Sequence, residues 1–208
     1  MNKHRLILVA ACALLLPLIT LVLHAAVTRI NPNDQHVVGD PLDELNGVVI
    51  YYNGGVNTTR GRNLSSDGYN LGMRYQCVEF VKRYYFERYD HRMPDTFGHA
   101  KDFFDSLLAD SELNSKRAMR QFTNGSAEQP QPDDLLVFGP WLFNRYGHVA
   151  IIARIDAASI EIAQQNPGPY GSSREHLPLV QREGRWFIEH PRVLGWLRLQ
   201  PAESLPSE

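Results

Sequence analysis

The spacing of apolar residues changes twice along the chain, and each change predicts a different kind of structure. An apolar run, broken chemically only by Cys12, Pro17 and Thr20, occupies residues 6–23. From Cys77 to about Tyr89 apolar residues recur every three or four positions, which predicts an amphipathic helix, and a similar pattern predicts a second helix over residues 99–108. Shorter apolar segments bounded by turn residues predict strands at 47–52, 135–138, 148–155, 159–165, 186–189 and 193–199.

Helices that precede a run of strands are typical of an α+β domain with an antiparallel sheet. We therefore predict N-terminal helices packed on an antiparallel sheet within one globular domain. A polar linker is predicted over residues 29–44, before this domain, and a disordered tail over residues 200–208, after it.

The N-terminal segment, residues 1–28, has the order of an export sequence. Lys3 and Arg5 precede the apolar run at 6–23, which is about as long as the ~20 residues a helix needs to cross a bilayer. We predict a signal-anchor or a cleaved signal peptide, with a lipoprotein site at Cys12 as a third reading. The expected location is the inner membrane, facing the periplasm, or outside the cell.

Composition excludes several classes of function. The formal net charge is −2, so charge offers no case for nucleic-acid binding. The sequence lacks a His-Glu-x-x-His zinc motif, paired cysteines at zinc spacing, a phosphate-binding glycine loop and a Gly-x-Ser-x-Gly elbow. We expect no metal and no cofactor.

Cys77 is the only cysteine outside the apolar N-terminal run, and it falls where a glycine-rich loop gives way to the predicted helix. A helix N-terminus favours the thiolate and offers free N–H groups that can bind an oxyanion. We therefore expect Cys77 to be an accessible nucleophile with a lowered pKa, and the amide of Gln76 to add a donor to the oxyanion hole. The alternative is a buried cysteine that acts as a small apolar residue.

His148 is the histidine best placed to act as the base, because it opens a predicted strand directly after a glycine. A three-residue turn at 156–158 would place His148 opposite Asn166 and diagonal to Gln164, while a slip of one residue would offer Gln165 instead. We predict that a neutral amide orients the imidazole. Alternatively, these amides only cap a strand end.

Three motifs resemble a known family. They are YQCVEF at 75–80, GHVAII at 147–152 and IAQQN at 162–166. They resemble the CHAP domain, the cysteine, histidine-dependent amidohydrolase/peptidase family, and within it the amidase domain of glutathionylspermidine synthetase/amidase. The resemblance covers roughly residues 45–199 and implies a papain-like fold.

The resemblance also implies roles for individual residues. Cys77 and His148 would form the catalytic dyad, and Gln76 would contribute to the oxyanion hole. The family's third residue is usually a glutamate where this chain has Gln164, and Asn166 matches an asparagine two positions further on.

The expected activity is that of a thiol-dependent amidohydrolase or peptidase, with a thioester acyl-enzyme on Cys77. The predicted partners are a peptide or amide substrate, with peptidoglycan or a related exported amide favoured, and the membrane through residues 6–23. One alternative is an amidase of the glutathionylspermidine type. Another is a cell-wall-binding pseudoenzyme, which the glutamine at position 164 would favour.

Overall fold

The computed structural model describes residues 3–142 and 144–200, and the side chains of residues 3–12 and 27 lie outside this description. The described residues form two α-helices, a one-turn 3-10 helix at Ala100–Phe103 and twelve strands. The helices are α1 (Lys3–Arg29) and α2 (Cys77–Tyr89). The strands are β1 (Pro41–Leu45), β2 (Val48–Tyr51), β3 (Arg62–Leu64), β4 (Asn70–Met73), β5 (Glu112–Asn114), β6 (Met119–Thr123), β7 (Leu135–Phe138), β8 (His148–Ile155), β9 (Ser159–Ala163), β10 (Arg174–Arg182), β11 (Arg185–Ile188) and β12 (Val193–Arg198).

Eight of these strands form one antiparallel sheet in the order β11-β10-β9-β8-β7-β12-β6-β5. Two small hairpins, β1-β2 and β3-β4, stand apart from it. Backbone hydrogen bonds join Trp186 at one edge to Gly125 and Ser126, which follow β6, with N···O distances of 2.8 and 2.7 Å. The sheet therefore curls until its β11 edge meets the segment after β6.

Alternate residues of β8 enter two different apolar clusters. Val149 and Ile151 pack with Phe80 of α2, while Ala150 and Ile152 pack with a cluster on the opposite face that includes the buried Trp196. Residues 149–152 of β8 are all apolar because both faces of the strand are covered. Helix α2 lies against β8, β4 and β2 on the first of these faces.

The predicted α+β arrangement, with several helices packed on the sheet, is wrong: the described chain is mostly β, and of the two predicted helices only α2 forms as an α-helix. The helix predicted over residues 99–108 is a single 3-10 turn. Asp102 accepts a hydrogen bond from the His99 N–H, and Asp105 accepts one from the Leu107 N–H. Such local side-chain bonds compete with helical bonds, and Leu107 is left 92% exposed.

The membrane-anchor prediction is also corrected. Among the residues whose side chains are described, no helix combines the length and apolar character needed to cross a bilayer. Part of the predicted run, residues 6–12, and most of the predicted tail, residues 201–208, lie outside the described side chains.

Candidate active site

Cys77 is the first residue of α2. Gln76 precedes it in an extended conformation, its carbonyl accepts the first helical bond from Phe80 N at 3.2 Å, and no side chain caps the helix N-terminus. The Cys77 sulfur lies against the N–H groups of Val149, Val78 and its own residue. These donors favour the thiolate, and they are also the kind of group that can bind an oxyanion.

Burial nevertheless controls the protonation of this thiol. Cys77 is only 6% exposed, and burial raises the pKa of the thiol to about 11 despite the three N–H groups. The expectation of an accessible thiol with a lowered pKa was therefore wrong. The helix N-terminus supplies the predicted donors, but the desolvation that comes with a packed helix outweighs them.

His148 begins β8 and pairs with Phe138 of β7. Its Nε2 atom lies 2.8 Å from Oε1 of Gln164. The Gln164 Nε2 atom lies 3.1 Å from the Ser172 carbonyl oxygen, which can only accept, so the amide must turn its oxygen towards the ring. The neutral imidazole therefore carries its proton on Nε2 and leaves Nδ1 free to act as a base.

The environment of His148 favours this neutral ring. Burial lowers the pKa of His148 to about 4; the hydrogen bond with Gln164 opposes the shift, and the positive charge of Arg192 adds to it. With the thiol pKa near 11 and the imidazole pKa near 4, the resting pair is a neutral thiol beside a neutral base.

The peptide between His148 and Val149 connects the two halves of the site. Its N–H faces the Cys77 sulfur, and no hydrogen bond joins that sulfur directly to the His148 ring among the described residues. The structure thus brings Cys77, His148 and Gln164 into one region, with α2 and the start of β8 in contact.

Near the site, β8 and β9 pair in the predicted register, although the turn between them differs from the predicted one. Asp156 N bonds Ser159 O, so the turn is shorter than the three residues expected, and Ile155 pairs with Ile160. A bulge between Ile152 and Arg154 then shifts the pairing by one residue, so that Ile152 pairs with Ile162. That register places Gln164 on the face of His148, as the sequence argument required.

The other predicted residues have different partners. Gln76 donates through Nε2 to the carbonyls of Val56 and Thr58 at 3.2 and 2.5 Å, so its amide hydrogens point at a loop. Asn166, with φ of 63°, donates to Val56 O at 2.9 Å and to Gln76 Oε1 at 2.8 Å. Asn166 therefore holds Gln76 and the loop rather than the imidazole.

A cavity of about 630 Å³ opens beside Cys77. Its walls come from segments 56–62, 96–102 and 144–147, and its charged lining groups are Arg29, Arg62 and Asp102. The Asp102 carboxylate accepts the His99 N–H, while both arginines are exposed. The cleft therefore has a net positive lining next to the thiol.

Sequence reasoning missed several residues around the site. Arg29 and Arg62 line the cleft, and the charge of Arg192 lowers the pKa of His148. The Glu175 carboxylate lies 3.2 Å from Gln164 Nε2. None of these residues belongs to a local motif. Glu175 could be related to the site only through strand register, because it pairs with Ile162, which lies two residues before Gln164 on β9.

Comparison with known proteins agrees with the motifs. The CHAP domain family model matches residues 67–166. The bifunctional glutathionylspermidine synthetase/amidase of Escherichia coli (strain K12) is 30% identical over 138 residues, which are 61% of this chain and 22% of that protein. Trypanothione synthetase of Crithidia fasciculata is 28% identical over 158 residues, which are 70% of this chain and 24% of that protein.

The chain thus spans about a quarter or less of the length of these curated relatives. The matched segment contains the described positions of Cys77, His148 and Gln164. Residues 67–166 of this chain are thus similar to the CHAP domain family.

Proposed function

We propose that this chain is a hydrolase of the amidase type that uses Cys77 as its nucleophile. One observation carries the proposal: a sulfur at an uncapped helix N-terminus lies against the peptide that follows His148, whose Nδ1 is left free as a base by the bond to Gln164. The CHAP family match and the amidase relative support the same reaction class.

The proposed reaction passes through a thioester. The Cys77 sulfur attacks the amide carbonyl carbon while His148 takes the thiol proton, and N–H groups at the start of α2 bind the oxyanion. Collapse of the intermediate breaks the C–N bond, and His148 gives the proton to the leaving amine. Water then attacks the thioester, one of its protons passes through His148 to the sulfur, and a carboxylic acid is released.

The resting protonation state decides how the nucleophile forms. Because both groups are neutral, the thiolate arises together with the imidazolium as the substrate reacts, rather than as a standing ion pair. The pH profile of turnover should therefore be flat near neutrality and fall on the acid side as His148 becomes protonated.

The cleft supports a substrate whose acyl part carries a carboxylate. Arg29 and Arg62 line the cavity beside Cys77, and guanidinium groups pair well with carboxylates. An amide of the glutathionylspermidine type, named for the E. coli relative, has such an acyl part. Peptide stems of peptidoglycan also carry carboxylates and form the second candidate.

The test is mass spectrometry of glutathionylspermidine and of purified peptidoglycan after incubation with the full chain. We expect one of them to be cleaved, and the activity to be lost in both Cys77→Ala and His148→Ala. His176→Ala is the matched control, because His176 is exposed and contacts Glu161 on the face of β9 and β10 opposite to Gln164. Turnover that survives Cys77→Ala contradicts the proposal, and binding without cleavage by the wild-type chain favours a pseudoenzyme.

A further inference from the structure

The amide of Gln164 lies between two groups that differ in charge. Its Oε1 is 2.8 Å from His148 Nε2, and its Nε2 is 3.2 Å from an oxygen of the Glu175 carboxylate. Gln164 is only 5% exposed, so water does not replace these contacts. We propose that Glu175 is a positioning residue for His148, whose carboxylate acts through the Gln164 amide to orient the imidazole and stabilise the imidazolium.

The sheet register fixes this arrangement. Glu175 of β10 pairs with Ile162 of β9, and Gln164 N donates to Ser173 O at 2.9 Å, so Glu175 and Gln164 are diagonal neighbours on one face. The Ser172 carbonyl holds the second hydrogen of the amide. A carboxylate that accepts from one end of an amide polarises its carbonyl oxygen, which strengthens the bond that this oxygen accepts from an imidazolium.

Glu175 is also a negative charge close to the positive groups near His148. The charge of Arg192 lowers the pKa of His148, and burial together with the charge of Arg192 lowers the pKa of His190. The negative charge of Glu175 raises the pKa values of His190 and Arg192. The Cys77 thiol on the α2 side is neutral, and the β7 neighbour, Phe138, is apolar. Among the described residues, Glu175 is thus the carboxylate that is connected to the imidazole through the Gln164 amide, whereas a glutamate at position 164 would contact the ring directly.

This inference rests on the proposed function, but the experiment reads the dyad without turnover. Cys77 in the full chain is alkylated with iodoacetamide, and its modification is followed by peptide mass spectrometry, which separates it from Cys12. In parallel, the imidazole of His148 is titrated by NMR. Glu175→Gln keeps an acceptor for Gln164 and removes only the charge.

We expect Glu175→Gln to lower the titration midpoint of His148 and to slow Cys77 alkylation at neutral pH by about threefold, a small factor because Glu175 is exposed and screened by salt. In a Gln164→Met background the same substitution should have no further effect. Glu161→Gln, which removes an equal charge from the opposite face of β9, should leave both measurements unchanged.

Three results would overturn the inference. They are an unchanged His148 midpoint in Glu175→Gln, an equal change in Glu161→Gln, and an undiminished effect of Glu175→Gln when Gln164 is methionine. A failed proposed function looks different, because then no amide is cleaved although the His148 titration still responds to Glu175.

Discussion

Gln164 and Gln165 are neighbours of identical chemistry that face opposite sides of the sheet. Gln164 contacts His148 and Glu175. Gln165 is fully buried on the α2 side, where its Oε1 accepts from Tyr51 N at 2.8 Å and its Nε2 donates to the Glu79 carboxylate at 2.8 Å and to Gln76 O at 3.0 Å. One amide orients the proposed base, and the other ties the start of α2 to the sheet.

The comparison shows that the side of the sheet that each glutamine faces, which alternates along a strand, decides what the side chain contacts. Gln165 holds the carbonyl of Gln76, the residue before the nucleophile, and thereby fixes where Cys77 enters the site. Glu79, which it also contacts, forms a buried ion pair with Arg83 at 2.7 Å. The α2 face therefore holds the start of α2 through buried groups that are already paired, whereas the opposite face carries the proposed base, His148.

The largest effect should follow from Gln165→Glu. The new carboxylate would lose both donated bonds and face the buried Glu79 carboxylate, which should destabilise the fold by about 4 kcal/mol at neutral pH. Urea unfolding measures this change. A loss no greater than that of Gln164→Glu would break the distinction between the two faces.

Acid should destabilise the protein through His148. Its pKa of about 4 in the folded chain lies below the ordinary 6.5, so the unfolded chain takes up the proton first as pH falls. The stability due to the neutral ring is complete above pH 6.5 and is lost as pH falls to about 4, by roughly 3 kcal/mol.

Urea unfolding of the wild type and of His148→Asn at several pH values tests this. His91 and His190 also have pKa values lowered by burial, so the difference between the two proteins isolates His148. Parallel stability curves for the two proteins would show that His148 is not the responsible group.

Gln164→Glu should cost about 2 kcal/mol of stability and should not raise activity. The substitution sets a carboxylate against the Ser172 carbonyl and the Glu175 carboxylate, where the amide now donates. The double substitution Gln164→Glu with Glu175→Gln exchanges amide and carboxylate. It should recover part of the stability and alkylate Cys77 faster than Gln164→Glu alone. Equal behaviour of the single and double variants would mean that Glu175 does not interact with position 164.

Asn166→Ala should have the smallest effect on stability, about 1–2 kcal/mol. It removes the donors to Val56 O and Gln76 Oε1 and places alanine at a positive φ. Because Asn166 contacts Gln76 rather than His148, the pH at which His148 titrates should not move. NMR titration of His148 in the variant checks this, and a shifted midpoint would show that Asn166, like Gln164, influences the imidazole.

Local sequence pattern was enough to predict much of the secondary structure. Strands β7 and β8 have the predicted bounds, and α2 begins at Cys77 as expected. The helix predicted over 99–108 failed because its capping side chains close turns instead. Strand β10 was missed since its alternation includes Pro178 and long polar residues.

The sequence was a better guide to which residues lie together in the candidate site than to their protonation states. Parity placed Gln164 on the face of His148, although the bulge between Ile152 and Arg154 compensated for a wrongly assumed turn length. The direction of the Cys77 pKa shift could not be read from the helix N-terminus, because it depends on how completely the site is buried.

The sequence by itself determined the CHAP-like motifs, the bounds of β7 and β8 and the faces of the central hairpin, since these follow from motifs and from periodicity within a few residues. Only the tertiary structure decided that Gln76 and Asn166 hold a loop, that the thiol and imidazole rest neutral, and that Glu175 stands behind Gln164. These properties depend on desolvation and on contacts between residues distant along the chain, which local sequence pattern does not encode.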